Sequence, residues 1–186
     1  VPYQLPTEGQ LDETDFKGKD WSLITFDESG TVDPTYSVVN VILGRVEVTT
    51  GAAFVGQTIK QLSGLDAHSI VGNPTKGQPL ELYSNNSYWT VIKDDGANPE
   101  SPVLAGNIGF DSPVSVLFSK DVHAVGLTGG HFNEIGSTYI EVYDRQGNVL
   151  GAALNTMEGI ETFGFSTGSV AKIAGLSFYV NNLESA

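Results

Sequence analysis

The chain has 186 residues, enough for one well-buried core, and contains nothing like the linker that a second domain would need. Nine Lys and Arg against 22 Asp and Glu give a net charge of -13, which rules against the cationic surface that nucleic acid or anionic lipid requires. The absence of cysteine excludes a disulfide framework, a thiolate zinc site and a cysteine nucleophile.

Val1 to Asp20 is rich in Pro, Gly and charge and follows neither strand nor helix period, so residues 1–20 read as an irregular N-terminal arm and residues 21–186 as the folded domain. The β-prone run Trp21 to Phe26 ends at the acidic turn Asp27-Glu28-Ser29-Gly30. Strands follow at Ser37 to Leu43 and Arg45 to Thr49, where Val46 and Val48 alternate with Arg45, Glu47 and Thr49. Gln57 to Leu65 is the best helical segment, with Ile59 and Leu62 on one side, although Gly64 interrupts it and a single turn is the alternative. Short strands are expected around Leu80 to Tyr83 and Tyr88 to Lys93. Six more fall at Ser115 to Phe118, Ala124 to Thr128, Thr138 to Tyr143, Val149 to Leu154, Glu161 to Phe165 and Ile173 to Val180. That cadence predicts an all-β fold, a single antiparallel β-sandwich of jelly-roll type. No apolar run approaches the roughly 18 residues of a membrane-spanning helix. The first residue is Val1 rather than Met, as in a signal-processed exported protein.

Five segments in order carry a family resemblance: ITFDE at Ile24 to Glu28, FVGQT at Phe54 to Thr58, PVSVLFS at Pro113 to Ser119, VGLTGGHFNEIGSTYIEVYD at Val125 to Asp144, and IAGLSFY at Ile173 to Tyr179. The chain resembles the secreted bacterial β-sandwich domains frequent in proteins with a PEP-CTERM-type sorting tail. The resemblance implies a sandwich fold and a secreted or cell-surface setting. Such domains commonly carry another aromatic where His131 stands and Asp where Asn133 stands. They also follow the IAGLSFY-like strand with a Gly-Phe-x-Ile-Asp-Asp-type closing strand, where this sequence has Glu184-Ser185-Ala186. An absent closing strand predicts an open sheet edge and self-association through it.

The candidate sites come from residue type and facing. Tyr139, Glu141 and Tyr143 point to one side of their strand while Ile140 and Val142 point to the other. With Tyr88 and Trp89, and with Tyr83 nearby, they offer aromatic faces for stacking on sugar rings. Asn85, Asn86 and Ser87 supply polar neighbours for the hydroxyls. His131 and Asn133, beside Gly129-Gly130, form a second polar cluster, without the His spacing that a zinc site needs. Asp27 and Glu28 could give Ca²⁺ hard oxygen ligands, and Asp94-Asp95-Gly96 resembles them more weakly. The expected function is a non-catalytic carbohydrate-binding or adhesion module, calcium-stabilised, with a polysaccharide or other glycan as partner. Two alternatives stand beside it. One is a structural assembly protein of the cell surface. The other is a polysaccharide-degrading enzyme using a pair among Glu81, Glu134, Glu141, Glu158 and Glu161.

Overall fold

The computed structural model describes residues 4–17, 21–62, 67–84, 87–96, 102–107 and 111–181. The elements in chain order are β1 (Gly9–Asp12), α1 (Glu13–Phe16), β2 (Thr35–Asn40), β3 (Gly44–Gly51), β4 (Thr58–Gln61), β5 (His68–Val71), β6 (Thr90–Lys93), β7 (Val103–Gly106), β8 (Val114–Val122), β9 (Ala124–Phe132), β10 (Thr138–Tyr143), β11 (Val149–Leu154), β12 (Gly159–Ser166) and β13 (Ile173–Val180). Among the described residues every strand pairing is antiparallel.

Two sheets form a β-sandwich. A six-stranded sheet runs in the order β11-β10-β13-β8-β3-β2, and a three-stranded sheet runs β1-β12-β9. Period-two alternation sends Ile140, Val142 and Leu176 inward from the larger sheet, where they meet Val125, Phe132 and Phe163 from the smaller one. Each such side chain stabilises the fold by roughly 1.5–3 kcal/mol on burial. Two hairpins, β4-β5 and β6-β7, complete the described sheet structure. This six-over-three order establishes the sandwich but does not by itself carry the jelly-roll connectivity.

The structure corrects several expectations. The N-terminal arm is not irregular throughout: Gly9–Asp12 pairs with β12, and Asp12 caps the single helical turn through a reciprocal capping box with Asp15. Leu11, one apolar residue among polar neighbours, anchors this arm at 1% exposure. Trp21 to Phe26 lies alongside β2 without forming a ladder. Its Ser22 hydroxyl donates to the Val39 carbonyl at 3.3 Å, and the Phe26 ring sits edge-on to Tyr36 at 5.8 Å. The helical reading of Gln57 to Leu65 fails over Thr58–Gln61, which is a strand paired with β5; positions 63–65 lie outside the described residues. Thr58 and Ile59 are β-branched, and the buried residues of β5 offer them a partner strand. The strands β9 and β10, consecutive in the chain, belong to different sheets: β9 pairs with β12, whereas β10 lies between β11 and β13.

Candidate functional site

The inward turn of Ile140 and Val142 leaves Tyr139, Glu141 and Tyr143 on the outer face of the six-stranded sheet. Register places Tyr179 opposite Tyr139, Ser177 opposite Glu141 and Gly175 opposite Tyr143. The Tyr139 and Tyr179 rings lie 5.7 Å apart between centroids and are tilted 33° to each other. Both are half-buried, as is Glu141.

Along the strand the environment changes from partly open to sealed. Tyr143 is fully buried, with the Phe54 ring edge-on at 5.5 Å. Phe54 can approach because Gly175 presents no side chain there: a Cβ at that position would lie 2.7 Å from the tip of the ring. Gln57 braces the cover. Its Oε1 accepts from the Phe54 backbone N–H at 2.8 Å, and its Nε2 donates to the Tyr143 hydroxyl at 2.9 Å. The Tyr143 hydroxyl in turn donates to Glu141 Oε1 at 2.7 Å, and Tyr179 reaches the same oxygen at 3.5 Å. Beneath them the Ser115 and Ser177 hydroxyls bond at 2.8 Å.

Burial pushes the Tyr143 phenol well above its ordinary range, and the Glu141 carboxylate beside it adds to the shift. Tyr179 moves the same way, through burial first, then the Glu141 charge and then Tyr139. Both phenols therefore keep their protons at neutral pH and act as donors, which fixes Glu141 as an acceptor. The second carboxylate oxygen, Oε2, has no hydrogen-bond partner among the described residues, and no ion pair engages Glu141. The face thus offers two ring surfaces and an oriented anionic oxygen.

The other candidates do not join this group. The Tyr88 ring packs edge-on against His68 at 5.3 Å. No hydrogen bond or ring contact among the described residues links Tyr88 or Trp89 to Tyr139, Glu141 or Tyr179. His131 belongs to β9 of the smaller sheet, has φ 62, and lies with its Nε2 3.4 Å from Asp95 Oδ2. It is exposed and belongs to another sheet from Glu141, and Asn133 follows it in an exposed loop. Asn85 and Asn86 lie outside the described residues, while Ser87 is exposed. Asp27 accepts from the Thr25 hydroxyl at 2.5 Å. Glu28 sits beside Tyr36, whose phenol is pushed up to about 12 by burial and then by that carboxylate. Among the described residues no group of three His, Cys, Asp or Glu side chains is arranged to hold a metal ion.

Tyr179, Gln57 and Ser177 were not singled out in the sequence. The alternation of Ser177 and Tyr179 in IAGLSFY was a readable signal, but their position opposite Glu141 depends on register, which alternation alone does not set. Compared with known proteins, the chain matches no family model, no curated protein and no solved structure. No helix among the described residues is long and apolar enough to cross a membrane.

Proposed function

We propose that this sandwich is a non-catalytic glycan-binding module of an exported or cell-surface protein, using the outer face of β10 and β13. The observation that supports this most is the Tyr139–Tyr179 ring pair beside Glu141, whose Oε1 accepts from the Tyr143 and Tyr179 phenols. Ring faces match the C–H faces of a sugar, and a fixed carboxylate accepts from its hydroxyls. Catalysis by a Tyr nucleophile is disfavoured because both phenols hold their protons. Glu141 is also the one acidic residue of β10 and β13, whereas hydrolysis of a glycosidic bond takes a pair of carboxylates.

The test is a glycan array, read with and without Ca²⁺ so that any contribution of Asp27 and Glu28 is measured as well. Binding to at least one polysaccharide is expected, with Tyr139→Ala weakening it by about 1–2 kcal/mol, a roughly 5- to 30-fold loss. Silence across the array would sink the reading.

Self-association is a second reading, favoured by the edge at β2. Leu23, Val39 and Val41 are 80%, 72% and 73% exposed there, and an open groove of about 370 Å³ runs between Trp21–Leu23 and Val38–Val41. Neither Trp21 to Phe26 nor β2 carries a charge of its own, so the strip is an uncharged apolar edge, with Glu28 and Glu47 as its nearest carboxylates. The IAGLSFY strand, β13, is central, with β10 and β8 on its two sides, so the free edges of the larger sheet are at β2 and β11. Concentration-dependent mass in solution, abolished by Val39→Lys, is expected; a strictly monomeric wild type would refute it.

A further inference from the structure

We infer that the glycan selected by this face is an amino sugar polymer whose amines are protonated. The inference rests on the glycan-binding reading and adds the ligand's charge.

Glu141 is a half-buried carboxylate with no cation paired to it among the described residues. Its Oε1 is committed to two phenols, while Oε2 has no hydrogen-bond partner among the described residues and is the acceptor left for a ligand. The strands that frame it, TYIEVY and IAGLSFYV, contain no Lys, Arg or His to neutralise it. A neutral sugar would supply only a hydroxyl donor to Oε2. A protonated amine supplies a charge-assisted donor, which is about twice as strong. The Tyr139 and Tyr179 rings reinforce the choice, because an ammonium near an aromatic face is attracted to its electron-rich centre. The net charge of -13 then raises the local concentration of a cationic polymer. A bare divalent cation fits less well: Ca²⁺ takes six to eight oxygen ligands, and this face offers one carboxylate with phenols already donating to it.

The experiment measures binding of a β-linked glucosamine oligomer, its N-acetylated counterpart and a lysine homopolymer of similar length to the wild-type chain and to Glu141→Gln. The glucosamine oligomer should bind roughly tenfold more tightly than the acetylated one. That preference should vanish in Glu141→Gln, which preserves shape and hydrogen-bond acceptance, and should shrink as salt is raised on the wild type. Equal or tighter binding of the acetylated oligomer overturns the inference and leaves glycan binding standing. Equal binding of the lysine polymer also overturns it, since charge alone would then suffice. Failure of both oligomers on a protein that captures another glycan overturns it as well. Failure on every glycan removes the underlying reading instead.

Discussion

Tyr143 has the most to lose from a single atom. Its hydroxyl accepts from Gln57 and donates to Glu141, so Tyr143→Phe leaves a buried amide donor and a half-buried carboxylate each short of one partner. Denaturant unfolding should show a loss of about 1–3 kcal/mol, while Tyr139→Phe, whose hydroxyl takes no part in that network, should stay within about 0.5 kcal/mol. Tyr36 supplies a pH prediction. Burial, and then the Glu28 carboxylate, push its pKa up to about 12 from the ordinary tyrosine value of 10.0, so the folded state holds the proton more tightly. The associated stabilisation is complete below pH 10, declines as pH climbs towards 12, and is gone above it. Tyr143 and Tyr179 shift in the same direction. An alkaline titration should therefore show phenolate absorbance from these side chains rising together with loss of the folded circular dichroism signal. Full tyrosine ionisation in a still-folded protein would contradict it.

Among the elements, β13 is the organiser, lying between β10 and β8 and bringing Gly175, Ser177 and Tyr179 to the outer face. Gly175 is the position where the sheet admits its cover. A methyl group there would meet Phe54, the Val116 carbonyl and Leu80 at 2.7, 2.8 and 2.9 Å. Gly175→Ala should cost about 1–3 kcal/mol by overpacking, measured as a lowered denaturation midpoint. Much of this level was legible beforehand: Val149–Leu154 and Ile173–Val180 match the strands expected from alternation and turn chemistry. The facing of Tyr139, Glu141 and Tyr143 also followed from period two alone. What alternation does not carry is which strand lies beside which. The Tyr139–Tyr179 pairing, the sealing of Tyr143 under Phe54 and the separation of β9 from β10 all depend on contacts distant in sequence. Short segments such as Thr58–Gln61 were ambiguous because a few apolar residues fit either period.

For the molecule as a whole, stability depends on an arm that local composition disguises. Leu11 is 1% exposed although its neighbours are Gln10 and Asp12, and no periodic pattern announces it. Leu11→Ala should cost about 2–5 kcal/mol, the range for emptying a packed core position, and thermal unfolding will measure it. The Gln10 side chain extends the same arm to the larger sheet: its Nε2 donates to the Leu154 carbonyl at 2.7 Å and its Oε1 accepts from the Leu154 N–H at 3.2 Å. That amide engages both backbone groups of Leu154, on the strand at one end of the six-stranded sheet. These partners are 144 positions apart along the chain. The consequence is one of timing. A ribosome makes β1 well before β11 and β12, the strands that receive it, so this segment must wait for them to emerge before it can dock. Until then the ends of both sheets stay exposed to any other unfinished chain nearby.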